Sequence, residues 1–273
     1  MTYVSVITAV VVLGLTGCAT LFGGDKDAGG SINITDMSEH QLEKIESQFV
    51  QGLSDYQHDG NSHKVEWFGC KGKKPKATIV LNHPDSLSFA ADDFCNQWFA
   101  NAFLGSGFDV LAVNRPGNGG STGEVDFSGP QSVAAIKAAM TEAPKSAKFA
   151  KPITGMWGYS AGATAATLAS RNSKLKFLIL GGGFYDLEQT KEQSTSGNVK
   201  GMISRVMDSE GDEGVEFRSV GWDPSALPKK IIMYHGKNDR VSPQGQAATF
   251  RDSLASTEYQ VTLQIIDGIA HEI

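Results

Sequence analysis

The sequence predicts an α/β fold: a mostly parallel central sheet with helices on both faces and a short lid insertion. Three observations lead there. Short apolar runs rich in β-branched residues recur along the 273 residues. Stretches of helical character separate them. Polar and glycine-rich segments follow directly after the runs, where an open α/β sheet presents the carboxyl ends of its strands to a ligand.

The runs are "KATIVLN", "FDVLAVN", "ITGMWGY", "KFLILGG", "KKIIMYH" and "YQVTLQII". Most are apolar on successive residues, as strands covered on both faces must be. The helices between them are expected at roughly 89–104, 129–141, 161–171 and 243–256. A further helix is expected over 38–57, with Ser38 as N-cap and Leu42, Ile45, Phe49 and Leu53 at helical spacing. The connection from about 185 to 227 is too long for a simple crossover and is read as the lid. Its acidic stretch "DSEGDEGVEF" is read as solvated surface.

A composition of 40% hydrophobic and 20% charged residues suits one well-buried globular domain. The net charge of −6 and the lack of any basic run or basic–aromatic stripe argue against nucleic acid as a partner.

The N-terminus differs in character. Residues 3–15, "YVSVITAVVVLGL", form an uncharged apolar run of 13 residues. That is short of the ~20 a membrane-spanning helix needs, and it fits a signal-peptide core. The run leads into "LTGCAT", which resembles the lipobox of bacterial lipoproteins, although no Lys or Arg precedes it. The resemblance implies cleavage before Cys18, lipid on that cysteine and export to a bacterial membrane. Ala19 rather than Asp follows, which by analogy with enteric bacteria favours the outer membrane. The layout expected is a signal peptide over 1–17, a flexible Gly/Asp/Ser-rich tether over 18–37 and one folded domain over 38–273. Beyond Cys18 only Cys70 and Cys95 remain, at a spacing that matches no metal or redox motif. They are read either as an export-compartment disulfide or as two separate buried residues.

The segments after the strands are "LNHPD" (81–85), "NRPGNGGSTG" (114–123), "GYSAG" (158–162), "HGKND" (235–239) and "DGIAH" (267–271). Gly158-Tyr159-Ser160-Ala161-Gly162 lies between an apolar strand and an alanine-rich helix, the context of a nucleophile elbow. The serine sits in a strained turn, and residues two away must lack bulk for strand and helix to pass closely. A serine hydroxyl needs a base, and His271 follows the last strand. An acid must hold that imidazole in the right tautomer. Asp239 is the expected acid and Asp186 its rival, while His235 is expected to pack or hydrogen-bond within its own turn.

From about residue 76 onward these motifs resemble the α/β-hydrolase superfamily, nearest its dienelactone hydrolase and prolyl-oligopeptidase-like branch. "HGKND" is similar to that branch's His-Gly-x-x-Asp, "GYSAG" to its elbow and "NRPGNGGSTG" to its Arg-Gly-x-Gly-x-Ser loop. The resemblance implies a Ser160–Asp239–His271 triad. "LNHPD" occupies the place of the oxyanion loop, but Pro84 stands where glycine is expected and has no N–H to donate. The first oxyanion donor is therefore expected to be the backbone of Asp85 or Ser86, with Ala161 supplying the second. Asn114 stands where the branch often carries Asp. Only Glu272 and Ile273 follow His271, where the resemblance implies a further helix. The expectation is either a shortened sequence or a mobile His271.

The function expected is a lipid-anchored serine hydrolase acting on a small-molecule or peptide ester, thioester or amide, without metal or organic cofactor. The alternatives are acyl transfer at the same site and a non-catalytic surface lipoprotein that keeps the fold as a binding module.

Overall fold

The computed structural model describes residues 47–271 apart from 86, 222–224 and 256–257. The readings of residues 1–46, including Cys18 and the Ser38, Leu42 and Ile45 part of the expected helix, of Ser86, and of Glu272 and Ile273 lie outside the described residues.

Eight strands form one sheet: β1 (Ser47–His58), β2 (Asn61–Gly72), β3 (Ala77–Asn82), β4 (Phe108–Asn114), β5 (Ile153–Tyr159), β6 (Phe177–Gly181), β7 (Lys230–Gly236) and β8 (Gln260–Ile266). Their order is β1-β2-β4-β3-β5-β6-β7-β8. The pairs from β4 to β8 are parallel, while β1 and β2 run antiparallel to their neighbours. All six apolar runs form strands, and β3 to β7 are almost wholly buried.

Successive residues serve opposite faces. Val80, Leu111, Met156 and Leu178 join one core with α2 (Pro130–Ala147), α3 (Ala161–Ser170) and α6 (Gly245–Ala255). Their neighbours Ile79, Val110, Trp157 and Ile179 join a second core, rich in aromatic rings, against α1 (Trp98–Gly105). A third cluster joins Ala161 and Phe184 to the apolar face of α5 (Gly197–Arg218), just after α4 (Leu187–Gln193).

Two expectations are corrected. Residues 47–58 are a strand, not the second half of a helix over 38–57. The helical reading needed Phe49 and Leu53 on a buried face, yet they are 39% and 54% exposed. The inner face is instead the alternating set Val50, Gly52, Ser54 and Tyr56, with Ser54 accepting from the Trp67 indole at 3.1 Å. The hairpin turn is Asp59-Gly60, with φ of 49° and 75°, the dihedral sign a two-residue hairpin loop requires.

The helix expected over 89–104 is only α1, preceded by a 3-10 turn at Phe94–Asn96. Residues 89–97 cannot close a longer helix because they are tied elsewhere. Phe89 exchanges backbone hydrogen bonds with the Asn114 amide at 2.8 and 2.9 Å. Cys95 is bridged to Cys70 on β2, which decides between the two readings of that pair.

The candidate active site

The strand-to-helix turn after β5 carries Ser160 at φ 54°, ψ −128°, a conformation sterically costly for a residue with a side chain. Its N–H donates to the Gly181 carbonyl at 2.8 Å, so the turn is fixed to the neighbouring strand. A methyl group at Gly158 would stand 2.2 Å from the Gly162 oxygen. One at Gly162 would stand 2.3 Å from the Asn82 oxygen. Only hydrogen fits at either position, which is why the serine is flanked by glycine two residues away on each side. Ala161 opens α3, so its N–H has no acceptor within the helix and lies at the positive end of the helix dipole.

Two strands further along, β7 delivers His235 and the turn that bears Asp239. The His271 segment crosses this turn: Asn238 N–H donates to the Ile269 carbonyl at 2.9 Å. His271 Nδ1 lies 2.7 Å from Asp239 Oδ2, and its Nε2 lies 2.9 Å from Ser160 Oγ. The three residues singled out in the sequence therefore form one continuous hydrogen-bonded chain. The ring of His271 stacks on Phe184 at 6.2 Å and leans on Tyr159 at 5.4 Å.

Burial alone would raise the Asp239 carboxyl, but hydrogen bonds from His235 and His271 outweigh it and hold the pKa at about 2. Backbone N–H groups of Val241 and Ser242 also donate to Oδ1 at 2.9 and 2.8 Å. Asp239 is thus a fixed anion facing the imidazole. His235 is fully buried, 3.2 Å from Asp239 and on the Ser242 carbonyl, a turn residue as expected. Asp186 is not brought to the histidine. Its carboxylate caps α4, accepting from Gln189 N–H at 2.9 Å.

The "LNHPD" loop runs beside Ser160, and sequence reasoning missed what holds it. Arg115, 2% exposed, donates to the Asp85 carboxylate at 2.6 Å and to the His83 carbonyl at 2.8 Å. It also donates to Ser128 Oγ at 3.0 Å, and Ser128 donates onward to the Ala161 carbonyl at 2.7 Å. One guanidinium thereby ties the loop carrying Asp85 to the first residue of α3. Its placement in "NRPG" directly after β4 was the available signal. Asn114, where the branch often has Asp, bridges Glu66 and Phe89 by its amide. Amide chemistry suits that role because the same side chain both donates and accepts.

A cavity of about 530 Å³ opens over Ser160 and His271. Pro84, Asp85, Leu87, Phe127 and Phe184 line it together with Val199 and Met202 of α5. The 187–218 segment reaches the cavity through the first turns of α5. Its acidic stretch is mostly exposed, except that Glu210 pairs with buried Arg218 at 2.7 Å.

The strand order, the elbow after β5 and the acid-bearing turn after β7 define an α/β-hydrolase fold. The chain belongs to the X-Pro dipeptidyl-peptidase (S15) family, whose sequence pattern matches residues 40–200. That match includes Ser160 but ends before Asp239 and His271. Among solved structures it is similar to a Mycobacterium tuberculosis puromycin-hydrolyzing peptidase, with 18% identity and a TM-score of 0.67 over 83% of this chain and 36% of that one. A Pyrococcus horikoshii acylaminoacyl peptidase aligns at 16% identity and TM-score 0.68 over 84% and 38% of the two chains. The chain therefore spans little more than a third of either peptidase. A Pyrococcus furiosus esterase aligns at 16% identity and TM-score 0.62, over 89% of this chain and 88% of that one. The comparison with curated proteins gives no match.

Proposed function

We propose that the protein is a serine hydrolase that cleaves a carboxylic ester, thioester or amide through an acyl-enzyme on Ser160. The observation that carries this is the hydrogen-bonded chain from Ser160 Oγ through His271 to Asp239, at 2.9 and 2.7 Å. His271 Nε2 takes the hydroxyl proton as Oγ adds to the substrate carbonyl, and Asp239 stabilises the imidazolium that results. The backbone N–H groups of Ala161 and Asp85 are the proposed donors to the oxyanion. Collapse of the tetrahedral intermediate breaks the bond to the leaving group, which receives the proton from His271. Water then adds to the acyl-enzyme with the same base, and release of the acid restores Ser160.

The S15 family match and the fold shared with two peptidases and an esterase support a hydrolytic reading. The apolar lining of the cavity supports an acyl group of apolar character, the family's peptidase description supports peptide amides, and the fold shared with an esterase supports esters. Rapid mixing with a p-nitrophenyl ester tests the scheme. An initial burst of about one p-nitrophenol per active site, absent in Ser160→Ala, is the expected result. Equal turnover by both proteins removes Ser160 from the reaction. The reading of Cys18 as a lipid anchor is likewise a proposal and rests on the sequence alone.

A further inference from the structure

A second cavity of about 590 Å³ lies beside the first, between α5 and residues 124–127. Its lining sets Val125 and Val206 beside the charged Glu124, Arg205, Asp208 and Glu210. The two cavities share two lining residues, Phe127 and Met202. We infer that Phe127 and Met202 form a partition that sets the upper size of the acyl group, an inference that rests on Ser160 being the nucleophile.

The Phe127 half of the partition is built to stay in place. Phe127 and Ser128 are consecutive non-glycine residues at φ 46° and 65°, a strained pairing that persists only where the surroundings enforce it. They are clamped from both sides. Arg218, wholly buried at the end of α5, donates to the Phe127 carbonyl at 3.1 Å and to the Asp126 carbonyl at 2.8 Å. Arg115 holds Ser128 from the oxyanion-loop side. The Phe127 ring, 5% exposed, lies 5.6 Å from that of Phe184, which itself stacks on His271.

Met202 is the yielding half. It is half-buried in the second turn of α5, unbranched and able to change rotamer. An acyl chain that outgrows the first cavity must displace this thioether before it can enter the second. That displacement disfavours longer chains, so hydrolysis is confined to acyl groups that end at the partition.

The test is the kcat/KM profile for p-nitrophenyl esters from acetate to dodecanoate, on wild type, Met202→Ala, Met202→Leu and Phe127→Ala. Alanine is the stronger helix former, so Met202→Ala keeps α5 and decides the question if Phe127→Ala does not fold. Wild type is expected to fall off beyond medium chain lengths. Met202→Ala is expected to move that fall to longer chains, raising the decanoate-to-butyrate ratio about tenfold, while Met202→Leu keeps the wild-type ratio. Parallel profiles in wild type and the folded alanine variants, with hydrolysis intact, overturn the partition alone. Failure of the wild type to hydrolyse any ester in the series, together with no covalent labelling of Ser160, overturns the hydrolase reading and the partition with it.

Discussion

Asp239 Oδ2 accepts from His271 Nδ1 at 2.7 Å, and the Asp239 side chain is wholly enclosed. An anion held this way fixes both the tautomer and the direction of the imidazole. Asp239→Asn presents an amide that cannot serve as that fixed anion. We expect kcat to fall by about 10⁴, the order seen when a triad acid is replaced by its amide. Asp186→Asn is the control, because that carboxylate only caps a helix. It should leave kcat near wild type and cost at most about 1 kcal/mol in urea unfolding. Loss of activity in the Asp186 variant alone would transfer the acid's role.

His83 makes the fold sensitive to acid. Its ring is 1% exposed, with Nε2 accepting from Arg115 N–H at 3.1 Å and Nδ1 facing the Pro84 carbonyl at 2.6 Å. Burial, with the Arg115 charge, lowers its pKa from 6.5 to about 3. The native ring stays neutral as pH falls below 6.5 while the unfolded ring takes up a proton. Stability should therefore drop by up to about 1.4 kcal/mol per pH unit from pH 6.5 toward 3. Asp239, depressed from 3.8 to about 2, contributes stability above pH 3.8 that is lost only as pH falls from there toward 2. Urea midpoints measured between pH 7 and 4.5 should slope downward in wild type and less so in His83→Gln. Equal slopes would contradict the neutral buried ring.

The Cys70–Cys95 bridge closes a sequence separation of 25 residues. A loop of that size corresponds to about 3.5 kcal/mol of stabilisation. The bridge also anchors the aromatic segment that carries Phe89 and Phe94, whose rings lie 5.6 Å apart next to His83. The Cys70→Ala/Cys95→Ala protein should unfold at lower urea by about that amount, and reductant should then have no further effect on it. An unchanged midpoint would remove the bridge from the stability account.

Cys18 should carry lipid if the sequence reading of residues 1–17 as a signal peptide is right. Cys18→Ser should move the protein from detergent-extracted membranes to the soluble exported fraction. Wild-type protein that is soluble without detergent would contradict the anchor.

The parallel part of the sheet was legible because most of its strands are apolar on consecutive residues and five of the six are followed by a polar or glycine-rich segment. The Ser160–His271–Asp239 hydrogen-bonded chain was legible because an elbow motif, an acid and a histidine each lie in a segment that follows a strand, β5, β7 and β8. The β1–β2 hairpin was not read. Phe49 and Leu53 satisfy a helical period although both face outward on a strand, and the Asp59-Gly60 turn that identifies the hairpin was passed over. The roles of Arg115 and Arg218 were also hidden. Their partners are backbone carbonyls and side chains up to 92 residues away, contacts that no local pattern encodes. Asn114 reads as a departure from a salt-bridging Asp, yet in place it clips the Phe89 loop to Glu66 on β2 through one amide.

The central claim is that Ser160 is a nucleophile activated by His271. The most direct measurement is labelling of the full chain with a fluorophosphonate, followed by digestion and mass spectrometry of the modified peptide. The account predicts one adduct, on the peptide carrying Ser160, formed at least about a hundredfold more slowly in His271→Ala. Absence of an adduct on wild type, or an adduct on another serine that His271→Ala leaves unchanged, would contradict it.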